Sequence, residues 1–465
     1  MSNFVRYSAI SLYVLLLGGC SSMAPKYVRP ESPVATHLQN DAFGQAEQAV
    51  SDIQWRNIFL DQRLQHVIVL ALENNRDLRV AMLNIDKARA QYRIQEAASY
   101  PSISGSGTYS ASRSGTDANS QVSRSTNISV GFISWELDLF GRIRSLNNEA
   151  LESYFATKET QRSARMTLIA EVAGDWLTIA AYQQKLNFAE ETLASQQKTL
   201  NLTYAKYKEG ILSSLDYEDV RTSVESAKAD IANYKKLLAQ AKNALDLVVG
   251  SSVTKQDLPT SDHAFDRIKL APIPQNLSSN VLLSHPDVLY AEHTLKSANA
   301  NIGAARAAFF PTISLTATAG RSSSDLNNLF SAGTKTWSFI PSISVPIFQG
   351  GELKASLDAA KIQKNIYIAE YEKAIQTAFA NVADALAERQ YIDAQLVAQK
   401  NLVNSTQRSF RLSTARYQEG IDSYLSTLTS QRNYYSAQQN LITLQLEEAT
   451  NRVNLYKVLG GGADG

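Results

Sequence analysis

Tyr207-Lys208-Glu209-Gly210-Ile211 and Tyr417-Gln418-Glu419-Gly420-Ile421 are one motif written twice, 417 − 207 = 210 residues apart. The same offset pairs Asp77 with Asp287, Ala81 with Ala291, Ala88 with Ala298 and Pro101 with Pro311. It also pairs Val172 with Val382, Ala173 with Ala383, Leu245 with Leu455 and Gly250 with Gly460. The register slips by two residues only near Phe140 and Phe348. One offset held over so long a span marks a tandem duplication. The repeats cover 60–250 and 281–460, with 251–280 between them and 461–465 as a tail.

Each repeat has the same anatomy. A helical stretch, Asp77–Tyr100 and then Asp287–Phe310, runs into Pro101 or Pro311, which stops it. A hairpin is expected at about 101–140 and again at about 311–348. Ile128, Val130 and Phe132 alternate with Ser129 and Gly131; Ile313, Leu315, Ala317 and Ala319 alternate with Ser314, Thr316 and Thr318. That period of two predicts strands with unlike faces. The Ser-rich stretches 110–125 and 320–334 read as the hairpin loops.

Long helical patterns follow at Arg142–Lys208 and Glu352–Gln418, free of Pro and interrupted only by Gly174. At 1.5 Å per residue the first spans on the order of 100 Å. Stepping four then three from Val172 gives Trp176, Ile179, Gln183, Leu186, Glu190, Leu193, Gln197, Leu200, Tyr204 and Tyr207, a 3.5-residue seam that predicts coiled-coil packing. Gly210 and Gly420 end these helices, and the chain returns through 213–249 and 423–459.

Four strands cannot close a barrel, and helices this long leave no core for a lone sheet. Copies that pool their strands remove the open edges, which is also what a bilayer demands. The fold class expected is mainly α with a transmembrane β-barrel part, built from a tandem-duplicated protomer.

Composition excludes several functions. A net charge of +1 with 19% charged residues gives no basis for nucleic-acid binding. His37, His66, His263, His285 and His293 show no metal spacing and no nucleophile partner, and four Met argue against a Met-lined metal path. No phosphate loop or dinucleotide fingerprint occurs. No cofactor, metal or catalytic residue is expected. At the N-terminus, Arg6 precedes an apolar run from Ile10 to Leu17, too short to span a bilayer, and Leu17-Gly18-Gly19-Cys20 closes it with small residues. Residues 1–19 read as a signal peptide, with Cys20 the lipidated first residue of the mature chain. Ser21 after it fits sorting to the outer membrane.

Several blocks resemble the TolC-family outer-membrane factors of tripartite RND multidrug efflux systems, in particular their OprM-like lipoprotein branch. They are Cys20 with Tyr27-Val28-Arg29-Pro30, Trp135-Glu136-Leu137-Asp138-Leu139-Phe140-Gly141-Arg142, Pro346-Ile347-Phe348-Gln349-Gly350-Gly351 and Asn454-Leu455-Tyr456-Lys457-Val458-Leu459-Gly460-Gly461. The resemblance implies a homotrimer with a twelve-stranded barrel in outer-membrane lipid, a periplasmic helical duct, and an equatorial belt. Residues 251–280, the chain before Leu60 within the lipid-anchored 20–59 segment, and the C-terminus belong to that belt. It implies a periplasmic adaptor and an inner-membrane RND transporter as partners. It also implies a gate at the tips, where Tyr417 and Arg432 link neighbouring helices and Leu425 forms an apolar constriction. The sequence departs from the family at Ser426 and Thr429, where TolC-type members carry aspartates; Asp422 and Glu419 are the nearby acids that would supply a threefold-repeated charge at the gate instead. For Tyr417, Leu425 and Arg432, ordinary coiled-coil packing and a solvated charge are the plainer alternatives. Two other functions stay open: the outer-membrane component of a type I protein secretion system, and a lipid-tethered periplasmic coiled-coil scaffold.

Overall fold

The computed structural model describes residues 22–34, 54–114, 121–259, 265, 270–271 and 279–461. Cys20 and the signal segment lie outside the described residues. In chain order the elements are α1 (Trp55–Ile58), α2 (Gln62–Asn74), α3 (Arg76–Ala97), β1 (Ile103–Ser114), β2 (Gln121–Leu137), α4 (Arg142–Lys208) and α5 (Ser214–Val249). A 3-10 turn (Ser279–Ser284) leads into α6 (Pro286–Ala307), β3 (Thr312–Ser323), β4 (Lys335–Ser344), α7 (Glu352–Gln418) and α8 (Tyr424–Val458). The chain forms two compact units, 1–31 with 84–158 and 290–372, and 32–83 with 159–289 and 373–465. Each takes residues from both repeats.

The first unit holds a four-stranded antiparallel sheet in the order β1-β2-β3-β4. Its register sorts the side chains by polarity. Ile103 lies opposite Phe132, Val130 opposite Ala319, Ala317 opposite Phe339, and Ile313 opposite Ile343. Those residues share one face; Ser104, Ser129, Thr318 and Ser338 occupy the other. A β-bulge between Phe132 and Trp135 puts one extra residue into β2, with Ser134 at φ 55° donating its N–H to Thr316 Oγ1 at 3.0 Å. The extra residue reverses the alternation, so Trp135 opposite Leu315 and Leu137 opposite Ile313 stay on the apolar face.

The strands run farther than the Ser-rich composition indicates. Stretch 110–125 is not a loop as expected: Ser110 pairs with Ser125 and Ser112 with Ser123, inside the β1–β2 ladder. Likewise β3 continues through Gly320 to Ser323 and β4 begins at Lys335. Small hydroxyl side chains suit the polar face and bond across it, as Ser106 and Ser129 do at 3.0 Å between Oγ atoms.

Beside the sheet, the segment from Ser22 to Arg29 lies along α6. Met23 and Pro25 carbonyls accept from Arg306 Nη1 (3.1 Å) and Asn299 Nδ2 (2.7 Å). A Cβ on Gly303 would sit 2.7 Å from Ala24 N, so the absent side chain admits the strap. At its far end Arg29 and Lys296 both meet the buried carboxylate of Glu292, which also accepts from Tyr27 Oη.

The second unit carries the larger core. Trp55, Phe59, Leu64, Ile68, Ile169, Trp176, Leu245 and Tyr456 are buried together, and Val253, Leu258, Phe265 and Leu270 pack on them. Each such large apolar side chain contributes roughly 1.5–3 kcal/mol by leaving water. Polar clasps fix the pieces: Trp176 Nε1 donates to the Asp257 carbonyl at 2.8 Å. Asn75 Oδ1 caps α3 by accepting from Leu78 N, while its Nδ2 donates to the Val248 carbonyl at the end of α5.

The seam along α4 departs from the expected phase below Leu186. Ala189, Gln196 and Thr203 are buried, whereas Tyr204 and Tyr207 turn toward Tyr217 of α5. Glu190 is on the surface with Lys235 at 3.4 Å. Ala189 and Thr203 are small enough to allow close helix approach, and the bulky tyrosines find an aromatic partner alongside.

The helix tips as the candidate functional site

Two bends of the second unit reverse the chain from α4 to α5 and from α7 to α8. Each ends its long helix in the same way. Ile211 N donates to Lys206 O at 2.9 Å and Gly210 N to Tyr207 O at 3.0 Å; Ile421 N donates to Arg416 O and Gly420 N to Tyr417 O at the same two distances. This is the Schellman cap, which needs a left-handed residue. Gly210 (φ 72°) and Gly420 (φ 73°) supply it, which accounts for the repeated motif.

The return helices then differ. Ser213 and Asp216 form a reciprocal capping box at the start of α5. At the equivalent start of α8, Ser423 makes no side-chain cap, and Ser426 stands where 216 + 210 places the counterpart of Asp216. Thr429 likewise replaces Asp219, and its hydroxyl bonds to the Leu425 carbonyl of its own helix.

The second tip is held by contacts from other helices instead. Tyr417, Tyr424 and Leu428 are buried with Val220, and Leu200 packs against them. The rings of Tyr417 and Tyr424 meet edge to face at 5.4 Å, and Lys206 Nζ lies 5.7 Å from the centre of the Tyr417 ring. The Tyr417 hydroxyl is buried with no hydrogen-bond partner. Burial pushes the Tyr424 phenol up to about 12, against a hydrogen bond with Ser223 that lowers it.

Asp422 is not an isolated acid. Arg416 Nε and Nη2 donate to its two oxygens at 2.7 and 3.0 Å, and the bidentate contact holds its carboxyl below the usual carboxylate range. Glu419, Leu425 and Arg432 are exposed. No hydrogen bond joins Tyr417 to Arg432 among the described residues; Arg432 instead lies where its charge acts on Tyr424. Sequence reading missed Tyr424, Arg416 and Lys206. A signal was present: Ser214, Leu212 and Asp216 become Tyr424, Asp422 and Ser426 in the second repeat, so the tips diverge where the flanking motif does not.

The histidines have local partners: His66 Nδ1 lies 2.7 Å from Asp257 and His293 Nδ1 2.7 Å from Glu152. His285 is buried, and its Nδ1 accepts from Asp287 N. His37 and His263 are outside the described residues. Among the described residues no cluster of three His, Cys, Asp or Glu is placed to hold a metal.

Long helix pairs capped by tight bends, joined to a sheet with one face apolar at Ile103, Phe132, Val130, Ala317, Phe339 and Ile343, define a protein that enters a membrane through its strands. Similarity gives the family. A profile described as "Outer membrane efflux protein" matches residues 67–251 and again 277–461, two matches set apart by 277 − 67 = 210. The chain is 46% identical to the probable efflux pump outer membrane protein TtgC of Pseudomonas putida, over 98% of this chain and 95% of that protein. Among solved structures, a Pseudomonas aeruginosa membrane protein superposes with TM-score 0.90 at 37% identity, covering 96% of this chain and 99% of that one. The open state of the Neisseria gonorrhoeae MtrE outer membrane channel gives TM-score 0.87 at 38% identity, covering 95% and 99%. The chain belongs to the TolC-type outer membrane efflux protein family. It is an outer-membrane efflux channel, mainly helical with a β-barrel part and a periplasmic part.

Proposed function

We propose that the chain is the exit duct of an RND-type multidrug pump, a homotrimer that conducts drugs passively from a periplasmic adaptor and inner-membrane transporter to the exterior. The observation that carries this reading is the sheet. Its apolar face is exposed at Ile103, Tyr109, Val130, Trp337, Phe339 and Ile343, and β1 and β4 are open edges. Three such sheets of four strands give twelve, enough to close a barrel with the apolar face toward lipid. The polar serine and threonine face then lines the water-filled interior. A tethered scaffold has no use for such strands, and a protein-secretion duct shares them, so the transported class is decided by experiment. No bond is made or broken along such a path, and no catalytic group is required.

The N-terminal Cys20 carries the acyl anchor in this reading, and the tips at Gly210 and Gly420 form the periplasmic gate. Within it, Tyr417 acts by packing on Tyr424, Leu425 is free to face its symmetry mates, and Arg432 is available to a neighbouring copy. Asp422 enters the gate as half of a neutral pair with Arg416. The decisive test is complementation. A strain lacking the chain should become sensitive to several unrelated drugs and regain resistance from a plasmid copy. Unchanged drug susceptibility with loss of a secreted protein would favour the secretion reading instead.

A further inference from the structure

Each strand of the sheet carries one basic residue: Arg113 in β1, Arg124 in β2, Arg321 in β3 and Lys335 in β4. The register sets all four on the apolar face. Arg113 keeps step with Ile103 and Tyr109, Arg124 with Val130 and Phe132, Arg321 with Ile313 and Ala319, and Lys335 with Trp337 and Phe339. All four also stand at the hairpin ends of the strands, away from the ends that join the helices. With the helices on the periplasmic side, that rim faces the outside. The other face at the same level is neutral, with Ser112, Ser123, Ser125, Ser322 and Thr336. The sole acid in the strands, Glu136, lies at the opposite end and pairs with Arg142.

The level is that of a membrane surface. Arg321 stands eight residues beyond Ile313 in β3, about 27 Å along the strand. At a tilt of about 40° this is about 21 Å of height, near the top of an apolar band about 25 Å tall. Trp337, 82% exposed, falls in the aromatic girdle just inside Lys335. Cations that served only to keep the rim wet would have no reason to avoid the other face.

The local arrangement calls for an anion. Arg321 and Lys335 are directly opposed in the ladder, where like charges repel. Asp325 does not neutralise them, since its Oδ1 accepts from Asn327 N and it makes no ion pair among the described residues. Arg124 and Lys335 likewise make no ion pair among the described residues, while Arg113 already has a partner within the chain. Arg321 is fixed at one nitrogen: Nη1 donates to Ser331 O at 3.2 Å and Thr334 Oγ1 at 3.1 Å. Its Nε and Nη2 keep no partner among the described residues, and that edge grips a phosphate through two parallel hydrogen bonds.

The geometry points to a binding site for lipopolysaccharide on the outer rim of the lipid-facing surface, with Arg321, Lys335 and Arg124 holding the phosphates of its lipid A headgroup. The acyl chains then lie along the apolar face below. This rests on the reading of that face as the lipid-facing wall of a barrel, and adds the lipid it selects. An outer-leaflet glycolipid is the occupant because the site joins phosphate-binding groups to an apolar wall at the external rim only.

Trimers purified in neutral detergent supply the test, with bound lipid counted by native mass spectrometry. Bisphosphorylated lipid A should bind saturably, and dephosphorylated lipid A and phosphatidylglycerol far more weakly. Millimolar inorganic phosphate should not displace it. Arg124→Gln with Lys335→Gln should weaken binding by about 30-fold, the loss expected for two basic groups at an anionic membrane surface. That pair spares Arg321, which also fastens its loop, and the same spectrum shows whether the trimer has assembled. Arg124→Lys with Lys335→Arg keeps both charges and should retain binding. Equal binding of dephosphorylated lipid A or of phosphatidylglycerol overturns the assignment, as does displacement by inorganic phosphate. So does an assembled double Gln variant that binds like the parent, or a charge-keeping variant that does not bind. A chain that fractionates away from the outer membrane overturns the lipid-facing wall itself, a failure distinct from all of these.

Discussion

Arg29 reaches Glu292 with both ends of its guanidinium, Nε to Oε1 at 3.2 Å and Nη2 to Oε2 at 2.5 Å. The carboxylate is almost fully buried, and Lys296 Nζ approaches it at 3.0 Å. Burial alone raises the Glu292 pKa, but the hydrogen bonds from Arg29 and Lys296 outweigh it and hold the carboxyl below the ordinary glutamate range. A depressed carboxylate pKa stabilises above the unfolded value, about 4.3, and that stabilisation is lost as pH falls through the folded value. Arg29→Ala is therefore expected to cost about 2 kcal/mol at pH 7, less than a wholly buried pair because Arg29 is half exposed and Lys296 remains. Thermal unfolding should show the deficit at neutral pH and its disappearance once Glu292 is protonated. A deficit independent of pH would mean that the strap acts through packing alone.

At the second tip the prediction concerns charge. Arg416 neutralises Asp422, so Asp422→Asn and Arg416→Ala should act in opposite senses. Removing the arginine leaves an acidic group in each copy and should shift the reversal potential of single channels in planar bilayers toward cations, with block by multivalent cations. Removing the aspartate leaves a surplus positive charge and no such block. Equal effects from both variants would rule out the pairing as the determinant of selectivity.

The tyrosines separate packing from hydrogen bonding. Because the Tyr417 hydroxyl has no partner, Tyr417→Phe should leave closed-state conductance and stability within about 0.5 kcal/mol of the parent. Tyr424→Ala removes a buried ring from the cluster with Tyr417, Val220 and Leu428 and should cost roughly 3 kcal/mol locally. Bilayer recordings should show it as higher resting conductance, along with Tyr417→Ala. A silent Tyr424→Ala would place the closure elsewhere.

The two bends allow a matched comparison. Gly210→Ala and Gly420→Ala each force a side chain into the left-handed region, at roughly 1 kcal/mol apiece, with open space around both positions. Ser213→Ala should add about 1 kcal/mol at the first bend by removing the capping box, whereas Ser423→Ala should be nearly silent. Hydrogen exchange of the bend amides reads all four variants.

Much of this architecture is legible in the chain because glycine and proline punctuate it. The spans without either are single helices, and the left-handed glycines mark where they end. Strand extent was less legible, since Ser110, Ser112, Ser123 and Ser125 have the composition of a loop but sit on the polar side of a ladder. The α4 seam misled for a related reason: Ala189 and Thr203 carry it by being small, while the larger Tyr204 and Tyr207 look outward. Of the candidate gate, Tyr417 was found because it belongs to the repeated motif. Arg416 and Tyr424 were not: Arg416 meets Asp422 only once the chain has bent back at Gly420, and Tyr424 packs on Val220 of the other repeat.

The unequal capping of the two bends gives them unequal stiffness. Ser213 and Asp216 close the first with groups three residues apart, so it keeps its shape whatever its surroundings do. The second borrows its rigidity from Val220 and Ser223 of the other repeat. Pull those neighbours away and the α7–α8 bend is the one that yields, while the α4–α5 bend moves as a solid piece.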